Sequence, residues 1–312
     1  MKIVQNIVID GNYQKPILTD VFFNENNQPK AIVIFCHGYK GFKDWGAWNL
    51  VAKEFADNNF FFIKFNFSHN GGTAENPIDF PDLEAFGNNN YTKELDDLEQ
   101  VINWIFNHKL FEKEINKSKI YLIGHSRAGG IVTIKASENK KITKIVSWAG
   151  VSNFANRFPT KEALQQWEKQ GVFYVTNSRT KQQMPHFFQY YVDFKTNEKR
   201  LTIKNAVEKI TIPYLIIHGT EDESVAVQEA HQLHTWNLNS KLLLVNNATH
   251  TFNTFHPFKS ELLTMEMKEV VDETLKFLFV RPKFQKRSAL KFVSRTIPPK
   301  AEGLIPRSSA EE

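Results

Sequence analysis

Eight short apolar runs along the chain have the length and composition of β-strands. The first two alternate partly between apolar and polar positions, as antiparallel strands near a sheet edge do. The later runs are almost wholly apolar, which is typical of strands covered by helices on both faces. The runs are KIVQNIVID, PILTDVFFN, AIVIFCHG, FFFIKFNF, KIYLIGHS, ITKIVSWAG, IPYLIIHG and SKLLLVNNA.

Helical patterns separate most of these runs. The segment DWGAWNLVAKEFADNN starts with Asp44 as a predicted helix cap, and YTKELDDLEQVINWIFNH places leucine and isoleucine at helical spacing. Further helices are predicted after Ser126, around AVQEAHQLHTWN and around ELLTMEMKEVVDETLKFLF. Alternating strands and helices predict a mostly parallel, doubly wound sheet, in which ligands bind beyond the carboxyl ends of the strands. We therefore predict a single α/β domain over residues 1–280.

Residues 151–209, called the insertion below, interrupt this alternation after the sixth run. Within it, TKEALQQWEKQG predicts a helix with Thr160 as its cap and Gly171 as its stop. A long insertion at the ligand-binding edge of a sheet is commonly a lid or substrate cap. The insertion is rich in aromatic residues: Phe154, Phe158, Trp167, Phe173, Tyr174, Phe187, Phe188, Tyr190, Tyr191 and Phe194.

The sequence GHSRAGG follows the fifth run and opens a predicted helix. A sharp turn between strand and helix lifts a serine hydroxyl above the sheet edge, where unpaired N–H groups of the helix converge. Such a turn needs very small residues two positions before and after the serine, and here these are Gly124 and Ala128. We predict Ser126 as a nucleophile, although the motif alone is equally consistent with a turn that only packs.

A nucleophilic serine needs a histidine base and an acid that orients it, and both types of residue follow later strands. Asp222 follows the seventh run in HGTEDESVAV, and His250 follows the eighth in NNATHTF. The order Ser, Asp, His and the position of each residue after a strand bring all three to one edge of the sheet. Glu221 and Glu223 are the alternative acids, and the motif favours Asp222.

Two backbone N–H groups are predicted to hold the oxyanion that forms during acyl transfer. One belongs to Arg127, directly after the nucleophile, and the other to Tyr39, where Gly38 lets the loop after the third run turn towards the substrate. His37 and Cys36 are then structural residues.

The remaining histidines are interpreted without a catalytic role. His218 ends its strand as a packed or loop-bonded residue, and His69 belongs to a loop. His231 and His234 lie at helical spacing, which would suit a metal, but no third ligand is evident, so surface positions are predicted.

Composition narrows the classes of partner. Residues 281–312 contain eight Lys or Arg and three Glu, so they carry the whole net charge of +5 and residues 1–280 are formally neutral. We therefore expect no nucleic-acid and no membrane partner. The start MKIVQNIVID resembles no signal peptide, and a cytoplasmic location is expected. The basic tail contains no asparagine, and it is interpreted as either a vector-derived extension or a native disordered segment.

Four motifs together, HGYKGFKDW, GHSRAGG, HGTEDESV and ATHTF, resemble the α/β-hydrolase superfamily over about residues 16–280. More narrowly, they are similar to dienelactone-hydrolase-like and feruloyl-esterase-like serine hydrolases. The cysteine nucleophile of true dienelactone hydrolases is absent, so that reaction is not implied. The resemblance implies a triad and two oxyanion donors: Ser126, Asp222 and His250, with the N–H groups of Tyr39 and Arg127.

The expected function is a serine hydrolase that cleaves small acyl or aryl esters through an acyl-enzyme, without a metal or organic cofactor. A serine peptidase or acyl-peptide hydrolase, a thioesterase and a non-catalytic binding module remain alternatives. The aromatic insertion either accepts an apolar or aryl acyl group or only packs onto the body. The Arg127 side chain either binds a carboxylate or points to solvent.

Overall fold

The computed structural model describes residues 1–280, and the prediction about the basic tail lies outside the described residues. Every strand-like run forms a strand, and two further strands lie in the insertion. The strands are β1 Lys2–Ile9, β2 Ile17–Phe23, β3 Lys30–Cys36, β4 Phe61–Phe65, β5 Ile115–His125, β6 Ile142–Trp148, β7 Val172–Thr176, β8 Gln183–Phe187, β9 Tyr214–Gly219 and β10 Lys241–Val245.

Eight of these strands form one sheet in the order β1-β2-β4-β3-β5-β6-β9-β10. Strand β2 pairs antiparallel with β1 and with β4, and the remaining neighbours pair in parallel. The predicted α/β-hydrolase fold, with a mostly parallel eight-stranded sheet and an insertion after the sixth strand, is confirmed. The carboxyl ends of β3, β5, β9 and β10 consequently meet at one edge.

Helices cover both faces of the sheet. Helices α3, α4 and α9 pack on one face and α1 and α10 on the other, so each central strand buries both rows of side chains. No helix within residues 1–280 has the length and apolar character needed to cross a membrane. The helices are α1 Trp48–Asp57, α2 Leu83–Gly87, α3 Tyr91–Asn107, α4 Arg127–Glu138, α5 Lys161–Gln170, α6 Gln189–Thr196, α7 Glu198–Leu201, α8 Ile203–Val207, α9 Val227–Trp236 and α10 Met265–Phe279.

The predicted cap of the first helix is wrong. Helix α1 begins at Trp48, and Ala47 occupies the cap position without a side-chain hydrogen bond. The Asp44 carboxylate instead contacts the buried ammonium groups of Lys43 and Lys64, at 2.6 and 2.5 Å. Burying a charge without a partner is far more costly than losing a cap, so the ion pairs determine where Asp44 points.

The insertion contains more regular structure than the sequence indicated. Helix α5 ends as predicted at Gly171, whose φ of +73° is left-handed, while Thr160 occupies the cap position without a side-chain hydrogen bond. Strands β7 and β8 form an antiparallel hairpin beyond it. This hairpin packs closely on α2, because a Cβ atom on Gly87 would lie 2.8 Å from the Phe187 ring.

Candidate active site

Ser126 occupies a strained turn between β5 and α4. Its φ of 57° and ψ of −122° lie in a region that residues other than glycine rarely adopt. The surrounding backbone holds this conformation: the Ser126 N–H donates to Trp148 O at 2.9 Å, and Ser126 O accepts from Gly129 and Val151. The sharp strand-to-helix turn expected at GHSRAGG is therefore present, with Ser126 at its apex.

The turn leaves no room for larger residues around the serine. A Cβ atom on Gly124 would lie 2.2 Å from Ala128 O, and one on Gly129 would lie 2.7 Å from the Cα of Gly150. The methyl group of Ala128 is itself fully buried in the apolar core. Alanine thus fits where the usual pattern has glycine.

His250 and Asp222 form a hydrogen-bonded pair at the same sheet edge. The distance from His250 Nδ1 to Asp222 Oδ2 is 2.8 Å, which leaves Nε2 of the imidazole available to another partner. The Asp222 side chain is fully buried, and its Oδ1 accepts from the N–H groups of Ser224 and Val225. Glu221 and Glu223, the alternative acids, are exposed.

A second histidine, His218 at the end of β9, also contacts Asp222. Its Nε2 lies 2.8 Å from Val225 O and 3.1 Å from Asp222 Oδ2. Since both neighbours are acceptors, Nε2 carries the proton and donates. The sequence interpretation of a loop-bonded residue accounts for the Val225 contact but missed the Asp222 contact. The sequence did carry a signal for the Asp222 contact, because His218 and Asp222 both lie at the carboxyl end of the same strand.

The environment of Asp222 favours its charged form. Burial opposes ionisation, but hydrogen bonds from His218, His250 and the Val225 N–H outweigh it and hold the pKa of Asp222 well below its usual range. The carboxylate is therefore ionised at neutral pH and suited to orient His250 and stabilise its protonated form.

Ser126 and His250 line the same cavity, of about 420 Å³. Within residues 1–280, Ser126 Oγ and the His250 imidazole are not joined by a hydrogen bond. The loop that carries His250 is held by His125, whose Nε2 donates to His250 O at 2.9 Å. Burial lowers the pKa of His125 to about 3, so this imidazole is neutral.

The loop after β3 lies against Ser126. A Cβ atom on Gly38 would be 2.8 Å from Ser126 Cβ, so a larger residue here would force the loop away from the serine, and the Tyr39 backbone follows directly after this contact. His37 is buried and donates from Nδ1 to Gly38 O at 2.9 Å, in keeping with the structural role expected for it. The Tyr39 hydroxyl hydrogen-bonds His186 Nε2 at 2.7 Å, which ties the loop to the β7–β8 hairpin.

The Arg127 side chain points into the protein rather than to solvent. Its Nη1 donates to Glu94 Oε1 at 2.9 Å, and only 13% of the side chain is exposed. The guanidinium carbon lies 4.5 Å from the centre of the Tyr39 ring and 5.7 Å from those of Tyr91 and Tyr190. The carboxylate near the nucleophile that Arg127 binds is thus the chain's own Glu94.

Two cavities meet at the serine. The first, called the aromatic cavity, is lined by rings of the insertion and body: Tyr39, Tyr91, Phe154, Phe158, Trp167, Phe173 and Tyr190. The second, called the polar cleft, has about 480 Å³ and shares Tyr39, Lys40, Ser126, Ser224 and His250 with the first. The polar cleft extends along Asn177, Ser178, Arg179, Thr251, Thr254 and His256. Insertion aromatics therefore both pack together and face the serine.

No group of three or more His, Cys, Asp or Glu side chains within residues 1–280 has a geometry that would hold a metal ion. His231 and His234 lie on α9, and His234 Nδ1 hydrogen-bonds Ser240 Oγ at 2.8 Å.

Comparison with solved structures identifies the fold. Est1E from Butyrivibrio proteoclasticus with ferulic acid bound aligns with a TM-score of 0.66 at 16% identity, covering 87% of this chain and 97% of that one. A putative hydrolase from Agrobacterium vitis S4 gives 0.66 at 15%, covering 89% and 100%. A putative dienelactone hydrolase from Klebsiella pneumoniae gives 0.56 at 15%, covering 89% and 99%. These similarities show the α/β-hydrolase fold.

The chain belongs to the BD-FAE family, whose model matches residues 19–237. Family and fold together define an enzyme of the α/β-hydrolase class and confirm the esterase-like branch indicated by the motifs. The "uncharacterized peptidase YtmA" of Bacillus subtilis is 27% identical over 120 residues. This match covers 38% of the chain and 41% of YtmA, so the chain matches less than half the length of that relative.

Proposed function

We propose that the chain is a serine hydrolase of carboxylic esters, with Ser126, His250 and Asp222 as its catalytic triad. The observation that carries the proposal is the strained Ser126 turn in the wall of a cavity that also contains His250, whose Nδ1 is bound by a buried carboxylate. This arrangement provides a nucleophile, a base and an orienting acid in one place.

The reaction proceeds in two steps through an acyl-enzyme. His250 Nε2 accepts the Ser126 proton while Oγ forms a bond to the acyl carbon, and the same proton then passes to the departing alcohol. In the second step, water gives a proton to His250 as it attacks the acyl carbon, and release of the acid restores the Ser126 hydroxyl. Asp222 remains ionised and stabilises the imidazolium in both steps.

The N–H groups of Tyr39 and Arg127 hold the oxyanion. Arg127 is the first residue of α4, whose initial N–H groups lack helical partners. Tyr39 follows the glycine that contacts Ser126. Each such donor typically contributes roughly a hundredfold to a thousandfold in kcat.

The insertion serves as the substrate cap and selects an apolar or aryl group. Its rings face Ser126 across the aromatic cavity. Est1E, which has the same fold, has been solved with ferulic acid bound, so hydroxycinnamoyl esters are among the expected substrates. We also propose that residues 1–280 act as a single hydrolase domain, which fits their assignment to one compact unit.

The test is covalent labelling with a fluorophosphonate probe, with Ser126→Ala as the control. We expect the wild type to be labelled and the variant to remain unlabelled. If the wild type were not labelled, the assignment of Ser126 as a nucleophile would be refuted and a non-catalytic binding module would be favoured.

A panel of aryl esters, alkyl esters, thioesters and aminoacyl amides then ranks the substrates. The similarity to YtmA makes amide hydrolysis the second candidate. Against it, the residues lining the two cavities include no Asp or Glu to bind a free amino terminus. If amides were turned over faster than esters, the esterase proposal would be rejected in favour of a peptidase function.

A further inference from the structure

Lys40 lies at the junction of the two cavities. It directly follows Tyr39, it lines both the aromatic cavity and the polar cleft, and it is partly buried. Its φ of 52° is left-handed, a conformation that non-glycine residues seldom adopt. Lys40 thus lines both cavities together with Ser126, the proposed nucleophile.

The other cations that line these cavities are already neutralised. Arg127 pairs with Glu94, Arg157 with Glu229 and Arg179 with Asp79.

Lys40 differs from them, because no carboxylate within residues 1–280 lies in ion-pair distance of its ammonium group. The neighbouring Tyr39 ring, 5.2 Å from Nζ to its centre, offers a cation–π contact only. Lys40 therefore contributes an uncompensated positive charge to both cavities.

This charge acts in a partly desolvated place. Burial lowers the pKa of Lys40, and the charges of Arg127 and Lys40 act with burial to lower the pKa of His186 to about 3. Attraction between opposite charges is stronger in such surroundings than at a water-exposed surface. An anionic group placed beside Lys40 would restore the balance of charge that each neighbouring arginine already has.

We propose that Lys40 binds a carboxylate carried by the ester substrate, next to the scissile bond. This assignment rests on the proposed esterase function and narrows its substrates to anionic esters. Lys40 is a specificity-determining residue in this proposal, and the carboxylate belongs to whichever half of the ester lies beside it at the junction.

Two matched pairs of esters test the assignment. In the first, the acyl half is charged or neutral: mono-para-nitrophenyl glutarate against para-nitrophenyl pentanoate. In the second, the leaving group is charged or neutral: para-carboxyphenyl butyrate against para-carbamoylphenyl butyrate. The readout is the ratio of kcat/KM for the anionic ester to that for the neutral ester. A purely structural role of Lys40 would change both members equally and leave the ratio intact.

We expect the wild type to favour the anionic ester in at least one pair. Lys40→Met should reduce that ratio by roughly tenfold to a hundredfold, the usual worth of a hydrogen bond to a charged group. Lys40→Arg should keep the preference, and added salt should weaken it. The matched control is Lys119→Met, at an exposed position near the middle of β5.

Failure of this assignment is distinguishable from failure of the proposed function. Hydrolysis of the neutral esters without a preference for either anionic ester would reject the role of Lys40 and leave the esterase intact. A preference that survives in Lys40→Met would reject it equally. A protein that hydrolyses none of the four esters would contradict both.

Discussion

Gly38→Ala tests how closely the loop after β3 must approach the nucleophile. An added Cβ atom would lie 2.8 Å from Ser126 Cβ, 3.1 Å from His125 O and 3.3 Å from Ser126 Oγ. Apolar carbon atoms pack at about 3.5 to 4.0 Å, so the loop must retreat by roughly 0.7 to 1.2 Å. Ser126 and the adjoining His125 carbonyl cannot easily move aside, because hydrogen bonds to Ser126 N and Ser126 O hold the turn in place.

Displacement of this loop should reduce kcat more than it reduces the stability of the fold. Tyr39 follows Gly38, so the variant moves the proposed donor N–H away from the oxyanion. A displacement of this size, or loss of one donor, typically costs about a hundredfold or more in kcat. We therefore expect kcat to fall by about a hundredfold, measured on a para-nitrophenyl ester and normalised to the amount of folded protein determined by circular dichroism.

The matched control is Gly171→Ala, at the end of α5. Unlike Gly38, this glycine has a left-handed φ, +73°, but an added Cβ atom would have no neighbour within 4 Å. The Gly171→Ala substitution should lower the free energy of unfolding by about 1 kcal/mol through backbone strain and leave kcat unchanged. If Gly38→Ala retained kcat within about threefold of the wild type, the placement of Tyr39 in the oxyanion hole would be wrong.

Two further substitutions test buried polar groups. His218→Phe removes a donor to Asp222, a contact worth about 1.5 to 3 kcal/mol, so the pKa of the Asp222 carboxyl should rise by about one to two pH units in a carboxyl-carbon NMR titration. His231→Phe, at an exposed position, is its control, and an unmoved Asp222 pKa would refute the role of His218. Burial raises the pKa of Asp97 to about 7 despite a hydrogen bond from Ser68. Because a raised carboxyl pKa costs stability as pH rises from its ordinary value to the raised one, Asp97→Asn should gain about 2 to 3 kcal/mol relative to the wild type between roughly pH 5 and pH 8. Urea unfolding at both pH values measures this gain, and a difference that does not change with pH would contradict it.

The main sheet and the place of the candidate site could be predicted from the amino-acid sequence. Apolar periodicity depends on which faces of a segment are buried, so it identified all eight strands of the sheet. The parallel arrangement then brought the ends of β5, β9 and β10 together, which made Ser126, Asp222 and His250 neighbours before any distance was known. Short-range sterics contributed as well, since the turn at Ser126 requires the small residues that surround it.

The partners of the buried polar groups could not be predicted, because they depend on how the chain folds. Arg127 binds Glu94 of another helix, and Asp44 binds Lys64 of a strand rather than capping α1. The β7–β8 hairpin owes its position to packing against α2, which its short segments do not encode. A buried charge takes whichever opposite charge the fold places beside it, and that neighbour comes from a distant part of the chain. Local patterns therefore determine which residues are buried, whereas the fold determines what those residues contact and leaves Lys40 facing both cavities without a carboxylate partner in the described chain.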